Sequence, residues 1–173
     1  MTKSPIELKD IQEAQKRIAP YIRNTPMIRF DYLSRETQKN IFLKCESLQI
    51  TGSFKIRGAA NCILENLAQS KKSGVVAASA GNHAQGVAAI CHQLGIKSTI
   101  VMPEWTPAIK VQNTLAWGAS VELVGKVYDD SYEHAMKLSQ DQGLVFVHPF
   151  RDPRVMAGQG TIGLELANTP LFE

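Results

Sequence analysis

Four short apolar runs, Val75 to Ala78, Ser98 to Met102, Val121 to Val124 and Leu144 to Val147, recur along the chain with helix-length segments between them. That is a βαβ alternation. Parallel strands cannot be joined by a tight turn, and the crossover they need is usually a helix that covers a face of the sheet. The pattern therefore predicts an α/β fold with an open parallel sheet and helices on both faces. Gly74, Gly95, Gly118 and Gly143 each stand shortly before one of the runs, where a left-handed helix C-cap is expected. Ligands of such sheets bind beyond the carboxyl ends of the strands. The first run leads there into Ser79-Ala-Gly-Asn-His83.

Upstream the pattern is less regular. Ser4-Pro5-Ile6-Glu7 reads as a helix start, with a serine N-cap, proline in the first turn and a glutamate placed to complete a capping box. Leu8, Ile11, Ala14 and Ile18 supply the apolar stripe, and Pro20 ends it. Thr25 to Ile28 and Ile41 to Cys45 read as short strands, with the polar stretch Ser34 to Asn40 between them.

At 173 residues, the chain is long enough for one ordinary domain with a real core and short for a two-domain enzyme. Its net charge of +3 is scattered, apart from Lys71-Lys72, which reads as part of a solvated turn, so no nucleic-acid surface is indicated. Cys45, Cys62 and Cys91 are odd in number and widely spaced, which predicts buried free thiols in a reducing compartment. His83, His92, His134 and His148 show no metal-ligand spacing, and no metal is expected. No signal peptide or membrane-length apolar run is present, so the expected location is the cytoplasm.

Two segments carry candidate chemistry. In Thr51-Gly-Ser-Phe-Lys-Ile-Arg-Gly-Ala59, Lys55 lies between Phe54 and Ile56, where partial desolvation would lower its pKa and give an amine able to attack an aldehyde. The plainer reading is that Lys55 merely opens a helix. In Ser79-Ala-Gly-Asn-His-Ala-Gln-Gly86, a strand-to-helix turn offers free backbone N–H groups, the Ser79 hydroxyl and the Asn82 amide to a carboxylate or phosphate. There the plainer reading is a helix cap. Gly158-Gln-Gly-Thr-Ile-Gly163 matches a dinucleotide pattern but follows Arg154-Val-Met-Ala rather than a strand, and no acidic ribose-binding residue follows it. It reads as a glycine-rich helix start, and nicotinamide binding is rejected.

Together, the segments Thr51 to Ala59 and Ser79 to Gly86 resemble the threonine and serine dehydratases of the fold-type-II pyridoxal-phosphate enzymes, in the tryptophan synthase beta-like superfamily. His148-Pro-Phe-Arg-Asp-Pro-Arg-Val-Met-Ala-Gly-Gln-Gly-Thr161 is similar to that family as well, although the family commonly has an aspartate where Arg151 stands. The resemblance implies that Lys55 would hold pyridoxal phosphate as a Schiff base and that Phe54 would pack beside the ring. Asn82 would bond the cofactor's 3′ oxygen, while Ser79, Gly81 and His83, through their backbone N–H groups, would hold the substrate carboxylate. The implied reaction converts L-threonine or L-serine to 2-oxobutanoate or pyruvate with release of ammonia. Serine racemases of the family carry a second acid/base serine at the position of Ala80, so efficient racemisation is not expected. Cysteine synthases and other β-replacement enzymes more often have threonine where His83 stands.

By the same resemblance, residues 52–150 would form a complete small α/β domain. Residues 1–51 and 151–173 would belong to a large cofactor-binding domain of which only part is present. The family's phosphate-binding glycine run and the later residue that contacts the pyridine nitrogen are expected beyond the equivalent of Glu173. The chain thus reads as truncated, with weak cofactor binding, and as a homo-oligomer or the associate of a missing C-terminal half. A catalytically inactive remnant or a partner subunit is the alternative of a different class.

Overall fold

The computed structural model describes residues 6–169. In order, the elements are α1 (Leu8–Ile18), β1 (Met27–Arg29), α2 (Asp31–Thr37), β2 (Phe42–Lys44), α3 (Lys55–Glu65), α4 (Leu67–Ser73), β3 (Val75–Ala78) and α5 (Asn82–Leu94). They continue with β4 (Ser98–Met102), α6 (Ala108–Leu115), β5 (Ser120–Leu123), α7 (Tyr128–Gln142), β6 (Val145–Phe146) and α8 (Pro153–Ala167). Short 3-10 turns occupy Ala19–Tyr21 and Glu46–Leu48.

The four predicted runs form one parallel sheet in the order β5-β4-β3-β6. Strand side chains alternate between faces, and the two cores follow that period. Val75, Ala77, Ile100 and Met102 pack with Ile56, Ile63, Val87 and Ile90 of α3 and α5. Val76, Ala78 and Val101 pack on Ala135, Tyr132 and Leu138 of α7. Helices therefore cover both faces, as the alternation required. From β3 the chain steps to β4 on one side, and it returns through α7 to place β6 on the other. The gap between β3 and β6 is thus the point where strand order reverses, the usual ligand crevice of an open α/β sheet.

Gly74, Gly95, Gly118 and Gly143 all have positive φ, but only Gly95 and Gly143 are the left-handed C-caps expected: Gly74 closes α4 with ψ near 180°, and Gly118 lies beyond the Ala116 cap of α6. Three further sequence expectations shift. The first helix begins at Leu8, with the Glu7 amide donating to the Asp10 carboxylate at 2.7 Å, instead of at Ser4; Ser4 and Pro5 lie outside the described residues. The stretch between the antiparallel strands β1 and β2 is not simply polar chain but contains α2. Gly158 to Gly163 lies in the interior of α8, whose start is made by Asp152, accepting from the Arg154 amide at 2.8 Å, and by Pro153 in the first turn. A smaller shift concerns Lys71 and Lys72, which are exposed in the last turn of α4.

The misplaced glycines have a packing reason. A Cβ on Gly158 would lie 2.5 Å from the Arg57 carbonyl oxygen and 2.7 Å from Gly58 Cα, and one on Gly58 would lie 2.7 Å from the Val155 carbonyl oxygen. Helices α3 and α8 cross backbone to backbone at this pair. Helix α1 joins them through Ile18, which belongs to the same core as Val155.

Candidate active site

The loop after β3 and the segment after β6 meet at the first turn of α3. A third bare position allows it: a Cβ on Gly86 would approach Ile56 N and Cα at 3.1 Å, so α5 rests with its second turn on the Lys55–Ile56 backbone. The structure thereby brings Lys55 and Phe54 together with the turn that carries Ser79, Gly81, Asn82 and His83.

Lys55 opens α3, so the plainer reading of the sequence holds as far as it goes. The Ser53 hydroxyl, itself buried, accepts the Lys55 amide at 3.2 Å and helps to end the preceding loop. The Lys55 side chain is half-buried, its Nζ donates to the Pro149 carbonyl at 2.9 Å, and it lies 5.5 Å from the centroid of the Phe54 ring. Burial holds its pKa below that of an ordinary amine. Phe54 leaves 40% of its surface exposed beside it, so an aromatic face is available for stacking.

On the facing turn, Ser79 extends the ladder by donating its amide to the Val101 carbonyl at 3.0 Å, and its hydroxyl accepts the Gly81 amide at 3.2 Å. The Ser79 and Gly81 amides are therefore both engaged, and the proton of the Ser79 hydroxyl is left for a ligand. A Cβ on Gly81 would meet nothing within 4 Å, so open space lies over this backbone. Asn82 is exposed in the first turn of α5, where the leading amides have no intrahelical acceptor and the helix dipole favours an anion.

His83 is 3% exposed, with Nε2 at 2.9 Å from the Val147 carbonyl. A carbonyl only accepts, so Nε2 carries the proton. Burial is the largest influence and pushes the imidazole down to about 4; the Val147 bond opposes it, while the Lys55 and His148 charges add to it. Near neutral pH the ring is uncharged. Its Nδ1 is buried without a hydrogen-bond partner and presents a lone pair. An imidazole in this state does not attract a carboxylate, so anion binding here falls to backbone amides.

The residues present fit an aldehyde cofactor with a flat ring: a partly desolvated amine, an exposed aromatic face beside it, and, on the adjoining turn, open space over Gly81 next to the leading amides of α5. Several contributors lay outside the sequence expectations. The carbonyls of Val147 and Pro149 hold His83 and Lys55 from the chain just beyond β6, the strand next to β3. Arg57, fully buried two residues after Lys55, forks onto Glu46 and Glu165, with the shortest contacts at 2.7 and 2.6 Å. Arg57 and Gly86 both stood inside the motifs quoted from the sequence, but a buried arginine and a bare helix face become recognisable only from their partners.

A family model described as "Pyridoxal-phosphate dependent enzyme" matches residues 18–171. The chain belongs to this pyridoxal-phosphate dependent enzyme family. Among its relatives, L-threonine dehydratase catabolic TdcB of Staphylococcus aureus (strain USA300) is 51% identical over 162 residues, covering 93% of this chain and 47% of the relative. L-threonine ammonia-lyase of Thermotoga maritima is 51% identical over 161 residues, covering 93% of this chain and 40% of the relative. Maize serine racemase superposes with a TM-score of 0.89 at 36% identity, over 94% of this chain and 50% of that one. The chain spans about half the length, or less, of these pyridoxal-phosphate relatives. Among the described residues, no helix is long and apolar enough to cross a membrane.

Proposed function

We propose that this site serves the dehydration and deamination of L-threonine, and of L-serine, to 2-oxobutanoate or pyruvate and ammonia. The observation that carries the reading is the Lys55 amine, held below its ordinary pKa by burial and set against the leading amides of α5. Identity of 51% to an L-threonine dehydratase supports the choice of reaction.

In this reading Lys55 would hold the cofactor at rest and, once the substrate amine has displaced it, would take the proton from the substrate Cα. Only a neutral amine can do so, and lowering the pKa raises the neutral fraction near physiological pH. Pyridoxal phosphate, when bound, supplies an electron sink for the pair left on Cα. Phe54 would flank the ring, and the Asn82 side-chain amide would bond its 3′ oxygen. The Ser79 hydroxyl and the His83 amide, joined by the Gly81 amide once its bond to the Ser79 hydroxyl opens, hold the substrate carboxylate, which fixes the Cα–H bond towards Lys55. Water is lost from the β-carbon. The enamine released tautomerises to an imine, and one water hydrolyses it to the 2-oxo acid and ammonia.

The division of the chain into a small domain over 52–150 and flanking parts of a large domain belongs to the same proposal. So does association with another copy or with a complementary segment, for which Ile28 and Leu43, facing each other across β1 and β2 with 49% and 45% exposure, offer apolar surface. Ala80 argues for elimination over racemisation, because it brings no hydroxyl to the second face of the substrate.

Incubation with pyridoxal phosphate, borohydride reduction and peptide mapping test the reading. Label is expected at Lys55 in the parent chain and lost in Lys55→Arg, and 2-oxobutanoate formation from L-threonine then tests the reaction. Label spread evenly over exposed lysines would refute the assignment of the amine.

A further inference from the structure

His148 lies beside the site without facing it, and its side chain is tied to its own backbone. Its Nδ1 accepts the amides of Phe150 at 3.1 Å and Arg151 at 2.9 Å. A ring nitrogen that accepts two bonds carries its lone pair, so the imidazole is neutral with its proton on Nε2. The ring stands edge-on to Tyr132 of α7 at 5.8 Å, Phe146 of β6 at 6.1 Å and Phe150 at 4.7 Å. Pro149 is enclosed by the turn so formed, and its carbonyl receives the Lys55 Nζ at 2.9 Å.

We propose that His148 is a positioning residue for Lys55: its Nδ1 lone pair locks the turn that presents the Pro149 carbonyl to the Lys55 nitrogen. The inference rests on the reading of Lys55 as the reactive amine. Lysine swings on a flexible four-carbon stem. An amine that donates one N–H to a fixed carbonyl has the direction of its lone pair set away from that carbonyl, and a reacting group gains from being held in one orientation.

The lock is also acid-sensitive. Protonation of Nδ1 would set a donor against two donors, and the turn would have to open. Burial, first, and the Arg151 charge hold His148 below the ordinary histidine range, while Asp152 pulls the other way. The other groups around it are the rings of Tyr132, Phe146 and Phe150 and the neutral His83. Opening therefore requires more acid than a free imidazole would.

The test compares the parent chain with His148→Asn and His148→Leu. Asparagine can accept backbone amides two and three residues on, as in an Asx-turn, and does not titrate; leucine fills space without an acceptor. The Lys55 pKa is read without cofactor, from the pH dependence of trace acetylation by acetic anhydride, with exposed Lys9 as reference. It is expected to match the parent in His148→Asn and to fall by about half a unit or more in His148→Leu, where the ammonium loses its acceptor. An unchanged or raised value in His148→Leu, or an equal fall in His148→Asn, overturns the proposal.

Should His148→Leu fail to fold by circular dichroism, the Lys55 Cε resonance decides. Followed from about pH 7 to about pH 5, above the titration of His83 near 4, it should bend with the His148 titration in the parent and not in His148→Asn. A bend that persists in His148→Asn overturns the proposal. Cofactor labelling that misses Lys55 would instead sink the functional reading, while leaving the Lys55–His148 coupling measurable.

Discussion

His83 Nε2 lies 2.9 Å from the carbonyl of Val147, which ties the first turn of α5 to the chain beyond β6 across the mouth of the crevice. The ring is buried, and burial outweighs the bond's own preference for the protonated form, so the place is sensitive to acid. In the folded chain the imidazole is pushed down to about 4 from an ordinary 6.5, and the unfolded chain takes up the proton first. The stability that depends on neutral His83 is therefore fully present above about pH 6.5 and lost as pH falls towards 4. A displacement of that size corresponds to about 3 kcal/mol. Urea unfolding at a series of pH values should show a steeper loss between these limits in the parent than in His83→Gln. His148 contributes to both chains in the same direction, so equal slopes would mean that His83 ionises freely.

The thiols make a second expectation. Cys62 and Cys91 are fully buried, and burial pushes each up to about 12, in Cys62 with help from the Asp152 charge. Thiolate is the reactive form, so neither should react with an aromatic disulfide reagent near pH 8 while the chain is folded. Cys45 is only half-buried, a departure from the burial expected of all three. One thiol should react in the native chain and three in denaturant; early reaction of Cys62 would show that α3 separates readily from α8.

Alanine at Gly158 should be costly although alanine is the better helix former by about 1 kcal/mol. The added carbon would press on the Arg57 carbonyl and Gly58 Cα, and backbone atoms cannot rotate aside. Overpacking of this kind costs about 1–3 kcal/mol, and the denaturation midpoint should fall accordingly. Gly86→Ala meets its neighbours at 3.1 Å, a looser fit, and should cost less. A rise in midpoint for Gly158→Ala would show that the two helices can part cheaply.

The sheet was legible where local signals agreed. β3 and β4 match the apolar runs residue for residue, because each run stands between a glycine and a turn. β5 starts one residue earlier than its run, and β6 shrinks to two residues because it pairs only through Val75–Val145 and Val76–Phe146. α2 went unread because its seven residues are mostly polar and leave Tyr32 and Leu33 exposed, so no apolar stripe marks them. The glycines of α8 misled because close approach to α3 is a tertiary fact. In the site, Lys55 and the turn after β3 announce themselves by residue type, whereas the carbonyls of Val147 and Pro149 are backbone groups that any residue carries.

Arg57 offers the sharpest test of what holds the helix that bears Lys55. All five of its N–H groups are used: Nε and Nη2 on Glu46 at 2.9 and 2.7 Å, Nη1 and Nη2 on Glu165 at 2.6 and 2.9 Å, and Nη1 on Thr161 at 3.2 Å. Glu46 is held below the ordinary carboxylate range: burial, the largest influence, raises it but is outweighed by its bonds to Arg57 and Thr25 and the charges of Arg57 and Lys44. Removing one partner of a buried ion pair strands the other, at about 3–5 kcal/mol. Arg57→Met should lose about that much near neutral pH, and Arg57→Lys should recover only part, since an ammonium cannot fork onto two carboxylates. Acid separates charge from packing. Stability that depends on ionised Glu46 is present above its unfolded pKa and declines as pH falls through the lower folded value, whereas in Arg57→Met the Glu46 carboxylate, deprived of its guanidinium, can protonate and the penalty shrinks. The stability gap between parent and Arg57→Met should therefore narrow on acidification. A gap that stays constant from about pH 7 to about pH 4 would mean that the arginine acts by filling space.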